Sequence, residues 1–425
     1  MSNFPVLLEK IAEHAIPDLA QQFGTPLYVY DSAVIVERVR ELAAFDVVRF
    51  AQKACSNIGI LDLVRRHGVL VDAVSGGEIR RALAAGYLPG RGEHPEIMFT
   101  ADLFDQEALD LVVEHNIPVN CGSPDMIDQL GTRAPGREIT LRINPGFGHG
   151  HSQKTNTGGE GSKHGIWLTQ IADCVERGAK YGIKVTGLHM HIGSGTDMQH
   201  LSRVCQAMES AAEEVCDTLH TISAGGGLPT PYKEGDERVD LAAYFALWDE
   251  TRNRLAEKVG HALTLELEPG RYLVAESGNL VAEIRAIKQM GSKLYYLVDA
   301  GFNNLARPIL YGAYHPIAIC RRNKANLQVS DALQPVVVAG PLCESGDIFT
   351  QEAGGYVSTR DLPTASVGDY LVIGCAGAYG SVMGSNYNSK PFAAEVLLDG
   401  KNAHVIRKRQ TFADMIADEQ IPRNI

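Results

Sequence analysis

The chain has 425 residues, of which 45% are hydrophobic and 21% charged, and a formal net charge of −12. That length predicts two domains of a globular protein, and the acidic balance argues against nucleic acid or an anionic membrane surface as the main partner. No apolar run approaches the roughly 18 residues that span a bilayer, no basic segment with a long apolar run opens the sequence, and the eight scattered cysteines form no CxxC pair. Reduced thiols and a cytoplasmic location are therefore expected, rather than a disulfide framework or a zinc site.

In chain order, the first strand-like segment is 25–30. Eight further β-rich runs follow at 47–50, 69–73, 97–100, 118–120, 139–144, 185–192, 221–224 and 263–268. Helical patterns separate most of them, at 58–67, 77–85, 106–115, 124–130, 169–181, 198–219 and 241–259. Strands alternating with helices of this length predict βαβ units around a parallel sheet. Eight such units predict an α/β fold of the (β/α)8 TIM-like barrel type over 31–280, with an open doubly wound sheet as the alternative. After about residue 280 the pattern changes to short strands at 281–288, 294–298, 335–339, 370–373, 393–398 and 403–407. They predict a mostly-β, Greek-key barrel-like domain over 281–425, which the N-terminal strand of 1–30 is expected to join.

In such a barrel the chemistry sits at the C-terminal ends of the strands. The polar residues fall there. Lys53 follows the first run, Asp72 lies in the second, Asn120 follows the fourth, and Arg142 and Asn144 lie in the fifth. His191 is expected to end the sixth, Gly225, Gly226 and Gly227 follow the seventh, and Glu268 ends the eighth. A long polar loop, 145–165, leaves the fifth run and is expected over the mouth. Its His149, His151 and His164 lack the accompanying carboxylates or cysteines of a metal site, so no metal is expected.

Singly, these signals are weak. A lysine after a strand is ordinarily solvated, a triple glycine is ordinarily a turn, and a histidine at a strand end is ordinarily core. The longer motifs change that balance: Glu268-Pro269-Gly270-Arg271, HIGSG at 191–195, VDAGFNNLARPILYGAYH at 298–315, GPLCESGD at 340–347 and GAYGSVMGSNYNS at 377–389. Together they resemble the alanine-racemase-like, fold-type III family of pyridoxal-phosphate-dependent decarboxylases over nearly the whole chain. Within it they are similar to the branch acting on meso-2,6-diaminopimelate.

The resemblance implies a homodimer with shared active sites, releasing L-lysine and carbon dioxide as the last step of lysine synthesis. It implies that Lys53 holds the cofactor aldehyde, an amine being needed that can exchange with the substrate amine. Gly225, Gly226 and Gly227 can offer backbone donors to the cofactor phosphate, with Gly270, Arg271, Ser194 and Tyr379 near it. His191 is implied to stack on the pyridine ring and Glu268 to keep the ring nitrogen protonated, with Asp72 in support. The far carboxylate of a diamino diacid suits the forked donors of Arg271 and Arg307 with the Tyr311 hydroxyl, and Glu344 suits the far ammonium. Tyr379 borders the substrate. Cys343 is implied to protonate the carbanion, reaching the site from the partner subunit. Decarboxylases of carboxynorspermidine, arginine or ornithine, and a non-catalytic cofactor binder, are the competing functions. Cys375 stands where relatives often carry aspartate.

Overall fold

Alternation along the predicted runs decides the architecture. In Val71-Asp72-Ala73, Leu141-Arg142-Ile143, Leu188-His189, Ile222-Ser223 and Leu265-Glu266-Leu267, apolar and polar residues alternate, and all are buried. Successive side chains of a strand point to opposite faces. Each strand therefore has one apolar face for helices and one polar face that needs partners of its own.

A barrel satisfies both faces. The computed structural model, which describes residues 4–90, 94–148, 157–191, 197–322 and 332–422, closes eight parallel strands on themselves. They are Val47–Ala51, Leu70–Ala73, Ile97–Ala101, Val119–Cys121, Glu138–Asn144, Lys184–His189, Thr221–Ser223 and Thr264–Leu267. The eighth pairs with the first through Glu266 opposite Val47 and Leu267 opposite Val48. All eight predicted runs are strands. The sixth ends earlier than expected, at His189, so His191 lies two residues past its end. The eighth likewise stops at Leu267, one residue before Glu268.

The helices between them bury one face and are capped by their own sequence. Ile58–Arg66 buries Ile60, Leu61, Leu63 and Val64, and the Asn57 side chain accepts from Gly59 N–H at its start. Leu241–Val259 starts under the Asp240 carboxylate and ends at Gly260, which adopts the left-handed φ of +79° that closes such helices. The helix expected over 198–219 runs only over Met198–Ala212.

The polar faces meet inside the barrel. Arg49 of the first strand forks onto Glu266 of the eighth, Nη2 to Oε1 at 2.9 Å and Nε to Oε2 at 3.1 Å, and its Nη1 donates to the Pro95 carbonyl at 2.7 Å. A buried pair of this kind is costly to break from one side, because the remaining charge has no solvent. Arg49→Ala is expected to destabilise the barrel by about 3–5 kcal/mol, read as a lower urea midpoint. Removing both charges, in Arg49→Met with Glu266→Leu, is expected to recover part of that loss; equal midpoints for wild type and Arg49→Ala would refute it.

The chain divides into two compact units: residues 36–230 with 238–273, which hold the barrel, and residues 1–35, 231–237 and 274–425. In the second unit Leu27–Asp31 pairs antiparallel with Gly278–Met290 and parallel with Ala394–Asp399. Gly278–Met290 is also antiparallel to Lys293–Val298 and Tyr370–Ile373, and Lys293–Val298 runs parallel to Leu333–Ala339. Ile317–Cys320, Arg360–Pro363 and Asn402–Arg407 complete the sheet; the first two are not foreseen in the sequence. Ile16, Leu27, Val29, Val281, Val372, Val396 and Leu398 form its core.

Candidate active site

At one end of the barrel, backbone hydrogen bonds tie the predicted motifs to one another. Lys53 sits in a single 3₁₀ turn, Gln52–Ala54, directly after the first strand. Gln52 and Ala54 are fully buried on either side, while Lys53 is exposed. The preceding Ala51 N–H donates to the Pro269 carbonyl at 3.0 Å, so the lysine turn is anchored on the Glu268-Pro269-Gly270-Arg271 segment. Glu268 N–H in turn donates to the Gly225 carbonyl at 2.7 Å. Gly226 N–H donates to His191 Nδ1 at 2.8 Å. Four strand ends, the first, sixth, seventh and eighth, are thereby locked in register.

The glycines are required by this closeness. A Cβ on Gly226 would sit 2.6 Å from the Glu268 carbonyl oxygen and 2.9 Å from His191 Cε1. A Cβ on Gly225, whose φ is +62°, would sit 2.6 Å from the Met190 carbonyl oxygen.

Electrostatics divides the buried groups. Glu268 is buried, which alone would raise its pKa, but other contacts outweigh burial and hold it below the ordinary carboxylate range. His189 Nε2 donates to Oε2 at 2.8 Å, the Ser223 hydroxyl donates to Oε1 at 3.0 Å, and Arg142 adds positive charge. Asp72 behaves oppositely. Burial first, and the neighbouring Glu268 second, push it well above its ordinary range. The two carboxyls are thus pushed in opposite directions, Asp72 toward the protonated form and Glu268 toward the ionised one. Asp72 Oδ1 has no hydrogen-bond partner among the described residues.

His191 is pushed well below its ordinary pKa by burial, and then by Arg142 and Lys53. Its Nδ1 accepts from Gly226, so the neutral ring carries its hydrogen on Nε2. Its carbonyl accepts from the Thr157 hydroxyl at 2.7 Å, tying it to the far side of the 145–165 loop. That loop is also fixed by Asp102, whose carboxylate takes the His164 Nδ1 contact at 2.6 Å and the Gly165 N–H at 3.0 Å. Among the described residues no group of three or more His, Cys, Asp or Glu is arranged to hold a metal ion. His149, His151 and Ser194 lie outside the described residues. Arg271 opens the short helix Arg271–Val274 directly after Gly270.

The remaining predicted residues belong to the β unit. Arg307 is buried at the start of the helix Arg307–Tyr311, and Tyr311 at its end is exposed. Cys343 and Glu344 are exposed. Cys343 N–H donates to Asn388 Oδ1 at 2.7 Å. Asp347 braces the same loop from below, taking Phe302 N–H at 2.7 Å and Leu342 N–H at 2.8 Å. Tyr379 is partly buried with a left-handed φ of +55°, and Cys375, four residues earlier, has a φ of +50°.

Known proteins share this fold and sequence. The family model for the pyridoxal binding domain of pyridoxal-dependent decarboxylases matches residues 33–275. Diaminopimelate decarboxylase of Escherichia coli K12 is 54% identical over 402 residues, 94% of this chain and 95% of that protein. The Streptomyces coelicolor enzyme is 52% identical over 95% of this chain and 91% of its own. The chain belongs to the diaminopimelate decarboxylase family. A crystal structure of diaminopimelate decarboxylase superposes with a TM-score of 0.91 at 52% identity, covering 95% of each chain. One from M. jannaschii in co-complex with L-lysine gives 0.84 at 29% identity, covering 96% of this chain and 95% of that one.

The cofactor of this decarboxylase family is pyridoxal phosphate. The barrel end fits it. It offers an exposed lysine on a fixed turn, a glycine cradle that no side chain can enter, a flat neutral imidazole and a buried carboxylate held ionised. Two members of this arrangement are not among the predicted site residues, His189 and Ser223. The alternation His189-Met190-His191 in the predicted sixth run was the available signal for the first.

Proposed function

We propose that the chain is a carboxy-lyase that converts meso-2,6-diaminopimelate to L-lysine and carbon dioxide. The observation that carries this is the hydrogen-bonded closure of Lys53, Glu268, the glycines and His191 at one barrel end. Family membership supports the substrate, as does the L-lysine complex of the M. jannaschii relative.

The bound cofactor supplies a ring that accepts the electron pair left as carbon dioxide departs. Lys53 would hold it through its amine. Glu268 would hold a proton on its ring nitrogen, and the neutral His191 ring would face it. Gly225–Gly227, Ser194, Gly270, Arg271 and Tyr379 would hold its phosphate. Arg271, Arg307 and Tyr311 take the far carboxylate of the substrate, Glu344 takes the far ammonium, and Tyr379 borders it. The Cys343 thiol delivers a proton to the carbon that lost its carboxylate.

Exposure of Cys343 and Glu344 supports a homodimer in which they serve the partner's Lys53, and a cytoplasmic location suits a chain of free thiols. A panel of meso-diaminopimelate, ornithine, arginine and carboxynorspermidine, read by carbon dioxide release, tests the assignment. Turnover of meso-diaminopimelate at least tenfold above the others is expected, at about 1.4 kcal/mol per tenfold. Turnover of another amino acid without meso-diaminopimelate overturns it.

A further inference from the structure

Two aromatic side chains, Tyr232 and His315, contact the Arg307 guanidinium. Its Nη1 donates to the Tyr232 hydroxyl at 3.1 Å and lies 3.0 Å from His315 Nε2. Arg307 and His315 are both buried. The guanidinium carbon stacks 4.9 Å over the Tyr232 ring, and the Tyr232 and His315 rings meet edge-on at 5.4 Å. His315 Nδ1 is 3.0 Å from the Gly374 carbonyl. A carbonyl only accepts, so Nδ1 carries the hydrogen and Nε2 presents its lone pair to Arg307. Tyr232 and His315 thus both act on the plane of the guanidinium.

Both supports return to one dipeptide. Gly374 holds His315, and the thiol of Cys375 lies 3.7 Å from the carbonyl of Pro231, the residue before Tyr232. The Gly374 N–H donates to the Pro316 carbonyl at 2.9 Å, which fixes the peptide that carries the accepting oxygen. All of these residues lie in one compact unit.

We propose that His315, with Tyr232, is a positioning residue that sets the preference for substrates carrying a far-end carboxylate, acting through Arg307. The inference rests on the proposed role of Arg307 as a carboxylate ligand. Forked recognition depends on the plane and angle of the guanidinium, so a support that fixes both contributes affinity for the carboxylate alone.

The test compares two competitive ligands of the holoenzyme, L-lysine and cadaverine, which share the amine chain and differ in the far carboxylate. Wild type is expected to bind L-lysine more tightly. In His315→Leu the inhibition constant of L-lysine is expected to rise about tenfold while that of cadaverine stays within about twofold. KM for meso-diaminopimelate should rise in parallel, with kcat changing less. His315→Gln, whose amide oxygen can accept near the Nε2 position, should recover part of the loss. If His315→Leu fails to fold, Tyr232→Phe decides; it keeps the ring and is expected to weaken L-lysine selectively by roughly threefold. Equal changes for both ligands, or none, overturn the proposal. A wild type that does not distinguish L-lysine from cadaverine overturns it together with the assigned role of Arg307.

Discussion

Lys53→Ala is expected to lower kcat on meso-diaminopimelate by at least ~10³-fold, since covalent and proton-transfer functions are removed together. The visible absorbance band that reports cofactor bound to an enzyme amine is expected to disappear as well. The structure gives the reason for this sensitivity. A lysine has four rotatable side-chain bonds, and its amine is useful only if the backbone beneath it does not move. Here the turn Gln52–Ala54 is pinned by two buried neighbours and by the bond from Ala51 N–H to the Pro269 carbonyl. The lysine turn and the Glu268 segment are therefore one mechanical piece. Removing the Lys53 side chain leaves that piece intact, because the bond is made by backbone. Barrel stability in Lys53→Ala is accordingly expected to match wild type within about 0.5 kcal/mol, as for an exposed side chain. An absorbance band that survives in the variant would place the cofactor link on another amine.

The same separation of backbone from side chain explains what could be read in the sequence. Strand runs such as 370–373 and helix 241–259 follow from period and composition, which are local. The strand-end positions of Lys53, Asp72 and Glu268 follow from the barrel, because eight repeats with one polar end leave little choice of face. Contacts between side chains far apart in sequence carry no such signal. Arg49 and Glu266 are 217 residues apart, and each alone reads as a surface charge. Tyr232 lies in Pro231–Glu237, a Pro- and Gly-containing segment that belongs to the β unit although it interrupts the barrel sequence. Its role as a support for Arg307 depends on a fold of the β unit that its own sequence does not specify. The strand Arg360–Pro363 was missed because Arg-Asp-Leu-Pro is poor in β-branched and aromatic residues and ends in proline. Cys375 was legible only as a departure from the acidic residue of relatives. The structure gives it a place, with its thiol against the Pro231 carbonyl and its backbone in the left-handed region.

Glu268→Gln is expected to lower kcat by about 10²–10³-fold, the range found when one preorganised charge or donor is removed from a site. Cofactor content should stay near wild type. The variant is close to isosteric, and the heavy-atom contacts around it can be kept. His189 Nε2 can still donate to the remaining amide oxygen, and the Ser223 hydroxyl can reverse to accept from the new amide. That hydroxyl already accepts from Gly225 N–H at 3.1 Å and has a second lone pair. What is lost is the negative charge. An ionised Glu268 can hold a proton on the ring nitrogen, whereas a neutral amide cannot. The charge also acts on Asp72, whose pKa is raised first by burial and second by Glu268. With Glu268 neutral, that second contribution vanishes, so the Asp72 pKa should fall toward its ordinary range. The sign is testable through stability. A carboxyl with a raised folded pKa costs stability above its unfolded pKa, and the cost grows until pH passes the folded pKa. Above about pH 5, where Glu268 is ionised in both the folded and the unfolded state, relieving the repulsion should therefore flatten the decline in stability relative to wild type. A slope unchanged from wild type, together with kcat within about fivefold, would show that the Glu268 charge neither drives the reaction nor sets the proton on Asp72.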